Sequence, residues 1–207
     1  MLVQFAVRNF LSIRDQVVLS MVATKRRSRV GGLDAGATFA AFEKINLLKC
    51  ATIYGANASG KSNIVSALNF FRNFVLESSK ESQVDDPIKV VPFLLTTIPV
   101  VGGSEFEVTF IKDGYLYQYA VEVEQQGVRS ESLKRKRVGA KRASVLFGRI
   151  DGKISVKPSF KEGLGLEQKT RGNALFVSVC ANFDGQISSN ILRWFKNLRI
   201  VSGLQHD

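Results

Sequence analysis

The chain has 207 residues, of which 45% are hydrophobic and 23% charged, and its formal net charge at pH 7 is +11. These values predict a globular chain with one buried core and exclude a disordered or collagen-like protein. No apolar run approaches the ~20 residues that span a bilayer. Polar residues interrupt segment 2–10, which therefore lacks the apolar stretch of a signal peptide. We expect a cytoplasmic protein that makes no membrane contact.

Cysteine and histidine are too scarce for a zinc site or a Cys–His catalytic pair. Cys50 and Cys180 each lie in an apolar run, which indicates two small buried side chains. His206, near the end of the sequence, is the one histidine. Three such residues cannot supply the four ligands of a structural zinc site.

The first elements in chain order are predicted to be two extended segments. Alternation over residues 1–10 predicts a strand with Val3, Phe5 and Val7 on one face. A second extended segment at residues 16–22 would form a hairpin with it. Residues 31–42 are rich in glycine and alanine and show no period, which predicts a loop.

Residues 55–62 match the phosphate-binding pattern G-x-x-x-x-G-K-[ST] at every fixed position, which Gly55, Gly60, Lys61 and Ser62 occupy. In this pattern backbone N–H groups wrap a phosphate chain, the lysine reaches the β- and γ-phosphates, and the hydroxyl holds Mg²⁺. The apolar run at residues 47–54 predicts a buried strand before the loop. Helical spacing after it predicts a helix that begins at Gly60 or Lys61 and ends near residue 77. The sequence therefore predicts a nucleotide and Mg²⁺ site.

The remaining residues of this segment are predicted to support the same site. Asn57 would contact phosphate, and Ala56, Ala58 and Ser59 would contribute backbone N–H groups. Asn63 would lie on the α-phosphate side. A chance match in an ordinary glycine turn is the alternative, and the predicted strand and helix on either side argue against it.

The middle of the chain is predicted to be an antiparallel meander over residues 105–156, with turn signals at 112–114, 125–127 and 151–152. Pro92 makes the preceding apolar segment 90–95 an edge strand or a loop. Tyr115, Tyr117 and Tyr119 form a one-sided stripe. Such a stripe either stacks bases or packs in the core, and we favour the core.

The last part of the chain is predicted to be helical. Residues 159–172 are polar and glycine-rich, which predicts a linker or loop. The apolar segment 173–183 suits a buried strand or helix, and its length and alanines favour a helix. Ile187, Ile191 and Trp194 then follow a helical period.

Two runs concentrate the positive charge: residues 25–29, which begin at Lys25 and end at Arg29, and residues 134–142, which begin at Lys134 and end at Arg142. Such charge favours a polyanionic partner, so either run is a candidate contact for nucleic acid. The alternative is a solvated surface with extra lysines and arginines.

Two segments resemble SMC/RecF-type ABC ATPase heads. Residues 5–15 (FAVRNFLSIRD) resemble the opening strand of these heads, and residues 54–63 (YGANASGKSN) resemble their phosphate loop, in which Asn57 and Asn63 are typical. More narrowly, the chain is similar to prokaryotic AAA-type ATP-binding proteins of abortive-infection, retron-associated and other anti-phage loci. The resemblance places Ser12 and Arg14 near the nucleotide, although Arg14 equally suits a solvated turn.

The resemblance implies an α/β P-loop NTPase, the first lobe of an ABC-ATPase-like head with an antiparallel β meander and a C-terminal helical segment. It divides the chain into an ATPase lobe at residues 1–160 and a linker with the start of a helical insertion at 161–207. In the family, one head grips ATP, a signature segment of a second head caps it, and head engagement drives an effector, often a nuclease. We therefore expect head–head contact between copies and an effector partner.

The second half of the family's site is missing from these residues. Hydrolysis in the family needs an aspartate for Mg²⁺ and a following glutamate for water, but Asp184 is followed by Gly185. Residues 163–167 resemble the family's signature segment only weakly. No catalytic residue is therefore identified, and hydrolysis stays open. The alternative function is a basic nucleic-acid-binding or assembly module with a regulatory nucleotide site, while no lid or substrate-binding carboxylate pattern supports a small-molecule kinase.

Overall fold

An antiparallel sheet is the largest element of the fold, in keeping with the alternation along the sequence. The computed structural model describes residues 1–24, 36–42, 45–57, 59–80, 83–84, 86–98 and 100–201. The described strands are β1 Leu2–Arg8, β2 Val17–Ser20, β3 Thr38–Phe42, β4 Ile45–Leu48, β5 Ser104–Lys112, β6 Tyr115–Glu124, β7 Gly127–Arg137, β8 Ser144–Ile150 and β9 Lys153–Val156. Seven of them form one sheet in the order β2-β1-β5-β6-β7-β8-β9, and β3 pairs with β4 in a separate hairpin.

The helices lie against the sheet. They are α1 Lys61–Glu77, α2 Phe176–Asn182 and α3 Gln186–Lys196, and short 3-10 turns lie at Lys161–Gly163 and Glu167–Lys169. The combination of a seven-stranded sheet and these helices is the α/β architecture expected from the sequence. No described helix is both long and apolar enough to cross a membrane.

The tight turns of the meander occur where glycine and aspartate predict them. Asp113 and Gly114 between β5 and β6 have φ values of 49° and 76°, and Asp151 and Gly152 between β8 and β9 have 46° and 80°. Positive φ at both central residues matches the right-handed twist of a hairpin. The predicted meander and the predicted β1–β2 hairpin are both confirmed.

The core lies between α1 and the inner face of the sheet. The Phe71 ring of α1 lies 5.5 Å from the Phe106 ring, 5.7 Å from the Tyr119 ring and 5.5 Å from the Phe195 ring, measured between centroids. Tyr119 is fully buried and Tyr117 nearly so. Tyr117 and Tyr119 therefore belong to the core, as favoured from the sequence, and the half-buried Tyr115 packs against it.

Helices α2 and α3 share this core, and carboxylates from other parts of the chain cap both of them: Glu131, which is buried, and Glu162, which is half-buried. Glu131 on β7 accepts hydrogen bonds from the backbone N–H of Phe176 at 2.7 Å and of Val177 at 3.1 Å. Glu162 accepts from the N–H groups of Ile187 and Ser188, each at 2.8 Å. Each carboxylate therefore satisfies N–H groups that the helix itself leaves unpaired. The division of the chain after residue 160 stays a prediction.

Three local predictions are wrong. Residues 38–42 form β3, not a loop, because they pair with β4. The strand predicted over residues 47–54 ends at Leu48, and residues 50–56 have no regular structure. Cys50 is consequently exposed, whereas Cys180 is buried as expected. Among the described residues no neighbouring strand pairs with the part of the apolar run that follows Leu48.

Candidate phosphate-binding site

The glycine-rich segment 55–62 leads directly into α1, as the motif requires. Gly60 precedes the first helical residue and has a φ of 83°, a left-handed conformation in which a side chain is strained. A Cβ on Gly55 would lie 3.0 Å from Ser59 Oγ and 3.5 Å from Lys61 Cδ. The backbone therefore needs glycine at position 60, whereas a side chain at position 55 would meet the Ser59 and Lys61 side chains.

Among the residues that the structure describes, no carboxylate caps the N-terminus of α1. Gly60 makes no side-chain cap, and the first turn of α1 contains no acidic residue. This contrasts with α2 and α3, whose N-terminal N–H groups bind Glu131 and Glu162. A helix N-terminus carries a partial positive charge, so the start of α1 suits an anion from outside the chain.

Lys61 folds back over its own loop. Its ammonium donates to the carbonyl oxygens of Gly55 at 2.7 Å and Ala56 at 2.5 Å, and to Ser59 Oγ at 3.3 Å. An ammonium has three donors, and neutral acceptors of the loop engage them here. Charged phosphate oxygens are stronger acceptors than carbonyls, so Lys61 is poised to exchange one set of partners for the other.

The other predicted residues of the loop are accessible from solvent. Ala56, Asn57, Ser59 and Ser62 are exposed. Ala58 lies outside the described residues. The hydroxyl of Ser62 lies in the first turn of α1, directly after Lys61, which suits the Mg²⁺-binding role predicted from the motif.

Ser12 is brought to the start of α1, as the resemblance implies. Asn63 Nδ2 donates to Ser12 Oγ at 2.5 Å, and a Cβ on Gly60 would lie 3.4 Å from the same oxygen. Arg14 is exposed in the turn that follows β1. Within the described part of the chain, no hydrogen bond or ion pair joins its side chain to the loop, so its role stays a prediction.

Sequence reasoning missed Asn9, which fixes the turn that carries Ser12. Asn9 is buried, with a φ of 54°. Its side-chain amide donates to the carbonyls of Gly102 and Gly103 at 3.1 and 3.2 Å, and its Oδ1 accepts from Phe93 N at 3.0 Å. Asparagine is among the few residues that tolerate a left-handed backbone, which was the available signal.

The described basic run lies on β7 and on the turn after it. Lys134 and Arg137 are exposed, as are Lys141 and Arg142 in the turn. The Arg135 guanidinium lies 4.9 Å from the centre of the Tyr115 ring, so this charge is engaged by a cation–π contact. The other run, residues 25–29, lies outside the described residues.

One protein-family model matches residues 50–173, which is more than half of the 207 residues. Its description reads "AAA domain, putative AbiEii toxin, Type IV TA system". The matched range includes the phosphate loop, α1 and the whole meander. No curated protein matches the chain.

Proposed function

The chain belongs to this family of AAA domains, and from that premise we propose that it is the ATP-binding lobe of an SMC/RecF-like ATPase. The lobe would use ATP binding and hydrolysis to switch or assemble a defence or DNA-processing complex. Membership of an AAA family supports nucleotide binding by a P-loop domain. The switching role rests on the resemblance of residues 5–15 and 54–63 to SMC/RecF-type heads.

One observation carries the proposal: a complete phosphate-binding motif precedes a helix whose N-terminus no described carboxylate caps. Lys61 would hold the β- and γ-phosphates, and the loop N–H groups would wrap the phosphate chain. Ser62 would hold Mg²⁺, which neutralises charge on the phosphate oxygens. The residues present therefore fit ATP and Mg²⁺, because they combine a cation and a hydroxyl at a helix start that no described carboxylate caps, although Ser59 N donates to Ala56 O at 3.3 Å in this structure.

Thermal unfolding with and without Mg²⁺ tests this site. At 100 times its dissociation constant, ATP is expected to stabilise the chain by about 2.7 kcal/mol, which raises the melting temperature. Replacing Ser62 with alanine (Ser62→Ala) should remove most of the Mg²⁺-dependent part of that rise, because the metal loses a protein ligand. Differential scanning fluorimetry measures both effects.

Ser66→Ala is the matched control, since Ser66 lies one helical turn further along α1. This variant should keep the full response to Mg²⁺ and ATP. Equal responses from Ser62→Ala and Ser66→Ala would argue against metal binding by Ser62. A wild-type melting temperature that saturating ATP leaves unchanged would contradict the proposed function itself.

The second candidate is a basic nucleic-acid-binding module whose nucleotide site only regulates assembly. The exposed cations of residues 134–142 and the net charge of +11 favour it. If this function is correct, DNA affinity should fall steeply with salt concentration and should not change when ATP is added. The double substitution Lys141→Ala with Arg142→Ala should reduce the slope of log affinity against log salt concentration by about 2. Fluorescence anisotropy with labelled DNA at several salt concentrations, with and without ATP, distinguishes the nucleic-acid-binding module from the ATPase. A shallow slope that these substitutions leave unchanged would count against nucleic-acid contact.

The proposed partners follow from the ATPase reading. A second copy would contact this head through the bound nucleotide, and an effector protein, such as a nuclease, would respond to the contact. Both proposals rest on the resemblance. The exposure of the loop supports the first, because a partner can reach Asn57, Ser59 and Ser62.

A further inference from the structure

The described residues from 91 to 101 (91–98, 100 and 101, called the 91–101 loop below) expose several large aliphatic side chains. Leu94, Leu95, Ile98 and Val101 are between 71% and 89% exposed. The sequence has no charged residue between Lys89 and Glu105, although 23% of the whole chain is charged. A cluster of exposed aliphatic side chains on one loop marks an interaction site more often than a free surface.

The fold holds this loop in place at both ends. Leu11 N donates to Val91 O at 2.9 Å, and Phe93 N donates to Asn9 Oδ1 at 3.0 Å. At the other end, the Asn9 side chain donates to the carbonyls of Gly102 and Gly103. The fold therefore fixes where the loop begins and ends, which lowers the entropy lost when a partner binds its aliphatic side chains.

Carboxylates border the loop. Glu105 and Glu124 form ion pairs with Arg8 and Arg129. Glu122 accepts a hydrogen bond from Gly103 N at 2.9 Å, and no ion pair among the described residues balances its charge. This border disfavours nucleic acid and anionic lipid. It favours an apolar partner surface that carries a basic residue at its edge.

The same chain offers such a surface at its far sheet edge. A shallow groove on β8 and β9 is lined by Val145, Ile150, Lys153 and Lys157, together with Gly148, Asp151 and Ser155. Ile150 is 70% exposed, and Arg129 lies 3.7 Å from the carboxylate of Asp151. The groove therefore has exposed aliphatic side chains and two lysines that no ion pair in the described part of the chain engages.

The loop and one end of the groove lie at the same end of the sheet. Ser104 pairs with Val123, Val123 with Val128, and Ser130 with Ile150. Four strand spacings separate β5 from β9 in the sheet order, which corresponds to roughly 19 Å. A two-fold axis between them would place the loop of each copy over the groove of the other.

We propose that the loop at residues 91–101 docks into the β8–β9 groove of a second copy of this chain, and that the contact forms a symmetric dimer. The contact is isologous, so it closes at two copies and does not extend into a filament. We expect a weak, concentration-dependent interface, because one loop and one groove from each copy make the contact. It needs no nucleotide, so it stands apart from the proposed ATP site.

Sedimentation velocity without nucleotide tests the dimer over a range of protein concentrations. The wild type should shift from monomer to dimer and form nothing larger. Leu94→Ser combined with Leu95→Ser, and separately Ile150→Ser, should each weaken dimerisation at least tenfold. Phe183→Ser is the control: this exposed side chain lies at the end of α2, in the helical layer, and its removal should leave dimerisation unchanged.

A charge exchange between copies sharpens the test. Glu122→Lys and Lys153→Glu should each weaken dimerisation alone, because each places like charges across the contact. An equal mixture of the two variants should dimerise again, since each contact then pairs opposite charges. High salt should reduce the difference between the single variants and the mixture.

Three results would overturn the proposal. The first is a wild type that stays monomeric at every concentration at which it is soluble. The second is a dimer that the loop and groove variants leave unchanged. The third is loop-dependent sedimentation of the chain with phosphatidylcholine vesicles, which would assign the loop to lipid. None of these results depends on whether ATP binds, so failure here is distinguishable from failure of the ATP site.

Discussion

Replacing Lys61 with alanine should lower ATP affinity at least a hundredfold. The ammonium now bonds to the Gly55 and Ala56 carbonyls, and it would bond instead to the β- and γ-phosphates. Two charge-assisted hydrogen bonds at about 1.5 kcal/mol each correspond to a factor of roughly 150 in the dissociation constant. Isothermal titration calorimetry on the wild type and the Lys61→Ala variant measures this difference.

Folding should survive the substitution, because the Lys61 contacts lie on the exposed loop and outside the core. Lys80→Ala is the control: Lys80 is an exposed lysine three residues beyond the end of α1, far along the chain from the loop. It should bind ATP like the wild type. Undiminished binding by Lys61→Ala, in a chain whose melting temperature is normal, would contradict the assignment of the phosphate loop.

Replacing Glu131 with alanine should cost about 3–5 kcal/mol of unfolding free energy, as breaking a buried charged network does. Glu131 is 1% exposed and accepts from Tyr119 Oη at 2.8 Å as well as from Phe176 N and Val177 N. Its loss would leave the N-terminus of α2 and the Tyr119 hydroxyl without acceptors. The cost is a large part of the stability of a typical domain. Urea denaturation followed by circular dichroism measures it.

Glu124→Ala is the matched control for Glu131→Ala, because Glu124 lies on the neighbouring strand β6 but pairs with Arg129 at the surface. Its removal should cost less than about 1 kcal/mol. Equal losses of unfolding free energy from the two substitutions would show that burial and helix capping do not make Glu131 more stabilising than a surface glutamate.

The stability that Glu131 provides should also depend on pH. Burial raises the pKa of Glu131 above its ordinary value of 4.5, against the opposing effect of its backbone and Tyr119 hydrogen-bond donors. A carboxyl whose pKa is raised by folding contributes most stability below its unfolded pKa and less as the pH rises through its folded pKa. The advantage of wild type over Glu131→Gln should therefore shrink as the pH rises from 4.5. A gap that widens with pH would contradict this direction.

The elements set by local pattern could be predicted from the sequence. Alternation of polar and apolar residues predicted β1 and the meander, because side chains alternate between the two faces of a strand whatever its neighbours are. The motif and helical spacing predicted α1. The apolar run after Leu48 was mistaken for a buried strand, because burial depends on a paired neighbour that composition does not reveal. Cys50 was misplaced for the same reason.

The phosphate loop could be read from the sequence, but the carboxylates that cap α2 and α3 could not. Glu131 meets Phe176 from 45 residues away, and Glu162 meets Ile187 from 25 residues away. A glutamate in a strand or loop is ordinarily solvated, so the sequence gives little warning that it is buried. The inward position of Glu131 on β7, in alternation with Leu133, was the one available clue.

The N-termini of the three helices differ in whether a carboxylate caps them, and this difference affects how the fold responds to a ligand. Carboxylates from within the chain cap α2 and α3, whereas no described carboxylate caps α1, and the ATP proposed above would cap it. Binding would therefore tighten a helix that Phe71 joins directly to the rings of Phe106, Tyr119 and Phe195. Nucleotide bound at the start of α1 would thus reduce the motion of the aromatic side chains in the core.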